Sequence, residues 1–184
     1  MTDTERAQDR IALLRGLRAV RQFRPDPVPD DVLRDVLEVA RWTGSARNVQ
    51  PWELVVVRDR AALDELAAAE GYARHLAGAP LGIVLAMDGD PSQVAQETYD
   101  EGRLAERIML AADVYGVGGS IGWLVGGGQM AAKQLLGIPE GRLVRTVISL
   151  GYPDEEARRA RPKPPQARKP LAEIIHLGKY GQQL

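Results

Sequence analysis

The chain has 184 residues, with 24 Lys and Arg against 25 Asp and Glu and a net charge of −1. This length predicts one domain over residues 1–184 that buries about 70% of the surface exposed by the unfolded chain. The balanced charge argues against a nucleic-acid or membrane-binding surface. The chain has no cysteine, which excludes disulfides, thiolate nucleophiles and Cys-ligated metals.

The predicted elements of the first half are helices over 3–16, 30–41 and 61–70 and a strand over 53–58. Asp30 or Asp31 is expected to cap the second helix, and Gly44 to stop it. The strand is continuously apolar, which predicts cover on both faces. The first ten residues are charged, and no apolar run approaches the ~18 residues of a membrane span, so we expect a cytoplasmic protein.

The predicted elements of the second half are strands over 81–87 and 142–151 and helices over 93–115 and 130–136. Gly102 interrupts the long helix at a cost of ~1 kcal/mol against alanine, which suggests that another helix or a bound ring approaches closely. Residues 116–128 are dense in glycine and are assigned to neither a helix nor a strand, with a flexible loop over 119–122 as one alternative. The proline-rich stretch 161–170 suggests an arm, about 157–184, that reaches across a neighbour.

Three motifs in the first third of the chain carry most of the functional signal. Residues 18–23 read R-A-V-R-Q-F, residues 27–29 read P-V-P, and residues 45–52 read S-A-R-N-V-Q-P-W. Together with G-V-G at 116–118 and L-G-Y-P at 150–153, their order and spacing resemble the flavin-dependent nitroreductase family. The resemblance covers about residues 13–177.

The resemblance implies an α+β, nitroreductase-like fold with a central, mostly antiparallel sheet flanked by helices. It also implies a homodimer in which the long helix pairs two subunits and the C-terminal arm adds to the partner. On that interpretation the apolar stripe from Leu104 to Tyr115 is a dimer surface. Packing of the stripe within the monomer is the alternative.

The implied cofactor is FMN, with NAD(P)H as electron donor. Guanidinium groups suit a phosphate and the anionic edge of a reduced flavin, and Arg21 is the residue expected at that edge. The sequence departs from the family at Leu17 and Ala19, where a basic and a hydroxyl residue usually help to hold the flavin phosphate. The implied cofactor-binding residues are Arg18, Ala19, Arg21, Ser45, Asn48, Gly119, Ser120, Ile121, Gly122, Arg168 and Lys169, and Arg47 is expected toward the substrate.

Several of these residues have a specific expected contact. Asn48 suits a ribityl hydroxyl or a ring edge, or else stabilises a turn. Ser45 resembles the residue that approaches the partner's cofactor. The stretch 119–122 is expected to pass its backbone over flavin N5, with a backbone N–H from Ile121 or Gly122, since glycine permits close approach.

Two other motifs match enzyme signatures weakly. Residues 118–122 fit G-x-S-x-G, but a helix precedes them where a nucleophile elbow needs a strand. Residues 126–131 fit a relaxed G-x-G-x-x-A without a convincing strand before it or an acidic residue ~20 positions later. His75 and His176 lack metal-binding spacing, so no metal site is predicted.

The sequence therefore predicts an NAD(P)H oxidoreductase that reduces nitroaromatics, quinones or similar electrophiles by ping-pong hydride transfer. No side chain is assigned as catalytic, because flavin N5 carries the chemistry. A flavin-storage protein and a cofactor-free relative on the same fold remain alternatives. The physiological acceptor, the preference between NADH and NADPH, and one- or two-electron chemistry stay open.

Overall fold

The computed structural model describes residues 2–160 and 168–184. In chain order its elements are α1 (Asp3–Gly16), α2 (Asp30–Arg41), β1 (Trp52–Val57), α3 (Arg60–Ala68), β2 (Leu81–Met87), α4 (Val94–Val114), β3 (Gly118–Trp123), α5 (Gly127–Leu136), β4 (Leu143–Gly151), α6 (Glu155–Ala160) and α7 (Leu171–Ile174). Short 3-10 helices occupy Ala46–Asn48 and Arg74–Gly78. None of the described helices has both the length and the apolar character needed to span a bilayer.

The strands form one antiparallel sheet in the order β1-β2-β4-β3. Helices cover both faces, so the structure confirms the predicted α+β class. Successive side chains of a strand point to opposite faces. On β2, Ile83 and Leu85 accordingly pack with α2 and α4, while Val84 and Ala86 pack with α3, α5 and the second 3-10 helix.

The glycine-dense segment contains a strand that the sequence does not predict, because residues 118–123 form β3. Close packing of the core against β3 explains why the strand contains glycine. A Cβ added to Gly119 would lie 2.9 Å from Leu150 Cδ2, and one added to Gly122 would lie 2.9 Å from Val147 Cγ2. Side chains are excluded there by packing, which removes the alternating pattern that marks a strand in a sequence.

Predictions for β1 and α2 hold only in part. On β1, Leu54 packs with the cluster on one face of the sheet and Val55 and Val57 with the cluster on the other, as predicted, but the cover is incomplete and Val56 is 36% exposed. Pro29, rather than Asp30 or Asp31, is the N-cap residue of α2, and it provides no side-chain cap. The helix ends at Arg41, before Gly44.

The long helix α4 forms as predicted, but its apolar stripe packs inside the chain. Leu104, Ala105 and Ile108 are buried with α2 and the sheet, so the expectation that this stripe is a dimer surface is wrong. The opposite face of α4 is exposed and carries Tyr99, Gly102 and Glu106. Gly102 has no atom of the described chain within 4 Å of an added Cβ.

The tail after α6 is described only from residue 168. The predicted proline-rich stretch therefore lies outside the described residues over 161–167. Beyond it, α7 and the chain end expose apolar side chains, including Leu171, Ile174 and Leu184. Tyr180 is 92% exposed.

Candidate active site

The outer edge of β3 provides the first part of the site. Residues of an edge strand direct their N–H and C=O groups alternately toward and away from the neighbouring strand. Gly119 O accepts from Val20 N at 2.8 Å, and Trp123 O accepts from Tyr72 N at 2.7 Å, so these residues face away from β4. Ile121 lies midway between them and faces the same way. Its N–H has no hydrogen-bond acceptor among the described residues.

Arg21 lies in the segment that pairs with this edge. It follows Val20, whose backbone is bonded to β3, and it is exposed. Its positive charge contributes to lowering the pKa of His75. A cation and an unpaired N–H at one strand edge together favour an electron-rich or anionic ligand atom.

His75 packs against one face of β3. Its Nδ1 lies 2.7 Å from Ser149 Oγ on β4. Burial, followed by the charge of Arg21, lowers the pKa of His75 to about 4, so the ring is neutral at pH 7. The contact with Ser149 cannot be predicted from the sequence, because Ser149 is 74 positions away from His75, a separation that no local pattern reveals.

A basic cleft of about 540 Å³ lies between the end of α1 and α4. Arg18 and Arg168 both line this cleft, and Lys169 is exposed without lining it. Arg15, which the sequence analysis did not select, also lines the cleft. The full lining is Leu14, Arg15, Leu17, Arg18, Ala19, Glu106, Met109 and Arg168. Three guanidinium groups against one carboxylate make this cleft suited to a phosphate.

The two parts of the site are joined through the bridge between Ala19 and Gly119. Ala19 lines the basic cleft, and Gly119 begins the edge that presents Ile121. Ser120 contributes only backbone, because its side chain is fully buried and its Oγ has no partner among the described groups. Packing of the core behind the strand leaves no room for a Cβ at Gly119 or Gly122.

The loop at 45–50 has an unusual backbone. Arg47, Asn48 and Gln50 have φ values of 51°, 57° and 54°, in the left-handed region that non-glycine residues seldom adopt. Ser45 Oγ accepts from Gln50 N at 2.8 Å and holds the loop in this shape. Strain of this kind, about 1–3 kcal/mol per residue, concentrates at functional sites.

Within one chain this loop does not reach the basic cleft. It packs at the N-terminal half of α4, where Ala46 N donates to Asp100 Oδ2 at 3.4 Å. Arg47 lines a separate cleft of about 230 Å³ with Asp88, Asp90 and Glu97 among its walls. Glu106 of the basic cleft lies six residues further along the helix, a rise of about 9 Å. Ser45, Arg47 and Asn48 are therefore not brought together with Arg18 and Arg21.

The two weak enzyme signatures find no support. Ser120 lies inside a strand with a buried hydroxyl, so it is not the exposed serine of a nucleophile elbow. A strand does precede residues 126–131, contrary to the prediction, but the N-terminus of α5 is occupied. Glu70 Oε2 accepts from Gly127 N at 2.8 Å, where a dinucleotide fold would place a phosphate.

Nitroreductases are among the known proteins that this chain resembles. A family model described as the nitroreductase family matches residues 14–71. A candidate NADH dehydrogenase/NAD(P)H nitroreductase of Archaeoglobus fulgidus is 34% identical over 76% of this chain and 82% of its own length. An NADH dehydrogenase of Thermus thermophilus is 28% identical, covering 86% of this chain and 90% of the relative.

Among solved structures, the FMN-dependent nitroreductase NfnB of Mycobacterium smegmatis, in complex with NADPH, has a TM-score of 0.78 at 26% identity. The match covers 94% of this chain and 99% of that chain. The similarity thus extends over the sheet, the helices and both motif regions. The chain belongs to the nitroreductase family.

Proposed function

We propose that the protein is an FMN-dependent oxidoreductase that uses NAD(P)H to reduce nitroaromatics, quinones or similar electrophiles. The observation that carries the proposal is the unpaired N–H of Ile121 at the β3 edge, together with the exposed Arg21 on the segment that bonds to the same edge. This pair matches a flavin ring edge, which offers N5 as a hydrogen-bond acceptor and gathers negative charge on reduction. The FMN and NADPH named for the M. smegmatis structure support the same cofactors.

The residues present fit FMN in two places. Ile121 N–H and Arg21 would hold the ring edge, while Arg18 and Arg168 in the basic cleft would hold the phosphate. When bound, FMN supplies the hydride chemistry, alternately reduced by NAD(P)H and oxidised by the acceptor in ping-pong order. The chain itself positions the ring and stabilises charge through Arg21, and no side chain has to transfer a proton.

We propose further that the working form is a homodimer of a single flavin-binding domain. Ser45, Asn48 and Arg47 lie away from the basic cleft of their own chain, so a partner has to supply them if they contact the same ligand. The exposed face of α4 provides a surface for this pairing, with Tyr99 79% exposed. The C-terminal arm, which exposes Ile174 and Leu177, is the second element proposed to contact the partner.

Steady-state kinetics test the reaction. Rates measured with FMN-loaded protein while NADPH and a quinone are varied should give parallel double-reciprocal lines, as a ping-pong order requires. A nitroaromatic should serve as an alternative acceptor. Intersecting lines would contradict the ping-pong order, and bound flavin without turnover toward either acceptor would support the storage alternative instead.

A further inference from the structure

The basic cleft contains one arginine with no assigned role. Arg15, in the last turn of α1, lines the cleft together with Arg18 and Arg168. Leu17 and Ala19 also line it, and neither side chain can donate a hydrogen bond to a phosphate. The charge needed for a dianion therefore has to come from guanidinium groups.

Arg18 is partly committed to its own helix. Its Nη1 donates to Arg15 O and to Leu17 O, each at 2.7 Å. These are carbonyls at the C-terminal end of α1, where unpaired C=O groups need donors. Arg18 thus caps the C-terminus of α1 through Nη1, and only the other N–H groups of its guanidinium remain available to a ligand.

Arg15 has no such commitment. Its guanidinium makes no ion pair and no hydrogen bond with the side chains or backbone of the described residues, and it is exposed. An arginine with all five donors available can bind two phosphate oxygens at once. The carboxylate of Glu106 shares the cleft but forms no ion pair with Arg15.

We propose that Arg15 binds the phosphate monoester of the flavin in place of the donors absent at positions 17 and 19, and so selects FMN over riboflavin. This inference rests on the proposed flavin-dependent function. Riboflavin presents the same ring to Ile121 and Arg21 but leaves the basic cleft without an anion. Arg15 therefore acts on the phosphate and not on the ring.

Flavin titrations followed by fluorescence quenching test the proposal. FMN and riboflavin are titrated separately into wild-type protein, Arg15→Leu and Arg15→Lys, with Arg10→Leu as the matched control on the same helix, outside the cleft. Arg15→Leu should weaken FMN binding roughly 10- to 100-fold, the range for a charge-assisted contact, and leave riboflavin unchanged. The FMN affinity of Arg15→Lys should fall between those of wild type and Arg15→Leu, because lysine keeps the positive charge but lacks the paired N–H groups of the guanidinium.

The outcomes separate this inference from the proposed function. Wild-type FMN binding that Arg15→Leu leaves unchanged would overturn the role of Arg15 while the flavin function stands. Equal loss of FMN and riboflavin in Arg15→Leu would also overturn it, because the residue would then support the fold or the ring. If wild-type protein bound neither flavin, the proposed function itself would fail. Circular dichroism of each variant checks folding.

Discussion

Replacing Gly102 by leucine tests the proposed pairing of subunits through the outer face of α4. In the isolated chain an added Cβ at Gly102 meets nothing within 4 Å. Leucine has a higher helix propensity than glycine by about 0.8 kcal/mol. If the monomer were the working form, the variant would be more stable by about that amount, and its Tm would rise by about 2–3 °C.

The dimer predicts the opposite result. Gly102 is flanked by Ala95, Tyr99 and Glu106 on the exposed face of α4, and paired helices approach to about 8–10 Å between axes. A leucine inserted there overpacks the contact at about 1–3 kcal/mol per copy. Two copies then cost about 2–6 kcal/mol, which weakens dimerisation at least 30-fold.

Sedimentation-equilibrium measurements of the dimer dissociation constant, with thermal unfolding in parallel, provide the assay. Gly78→Leu is the matched control, because Gly78 also has open space around an added Cβ but lies in the 3-10 helix away from α4. The control should leave dimerisation unchanged. A Gly102→Leu protein that dimerises like wild type and melts at a higher temperature would refute the pairing through this face.

Three further substitutions test the site and its support. Gly122→Ala places a Cβ 2.9 Å from Val147 Cγ2, so urea unfolding should show a loss of about 1–3 kcal/mol, and unchanged stability would contradict the packing argument. His75 has a folded pKa of about 4 against ~6.5 unfolded. Protons therefore favour the unfolded state as pH falls from about 6.5 to 4. After allowance for solvent screening, protonation of His75 lowers the free energy of unfolding of the wild-type protein by about 1–2 kcal/mol. The free energy of unfolding of His75→Gln should lack this part of the pH dependence. Arg21→Ala should slow flavin reduction by NADPH in rapid-mixing experiments. Full flavin content with unchanged reduction kinetics would remove the role assigned to Arg21.

The sequence predicts those parts of the fold in which local periodicity and burial agree. The 3.6-residue pattern of α2, the apolar run of β2 and the long helix α4 all form. β3 escapes prediction because Gly119 and Gly122 are dictated by Leu150 and Val147, which lie on the neighbouring strand. A strand whose side chains are removed by packing shows no alternation.

Some features of the site can be predicted from local sequence motifs, and others depend on contacts between residues that are distant in the sequence. Arg18, Arg21 and the 119–122 stretch could be selected from linear motifs. The resemblance implies a backbone N–H from Ile121 or Gly122, but which of the two is free depends on two backbone bridges, from Val20 and Tyr72, that no linear motif shows. Periodicity also marks the stripe on α4 as apolar without saying whether it faces its own sheet or a partner, and only the packing of the folded chain shows that it faces its own sheet.

The most direct test of the flavin-dependent function is an anaerobic absorption spectrum of protein incubated with FMN, freed of excess cofactor, and then mixed with NADPH or NADH. A flavin-dependent reductase should keep the visible band of oxidised flavin, and this band should bleach on addition of at least one nucleotide. Protein that retains no flavin would contradict cofactor binding. It would show that no other residue compensates for the phosphate-binding side chains that are absent at Leu17 and Ala19. A retained band that neither nucleotide bleaches would contradict the reductase function.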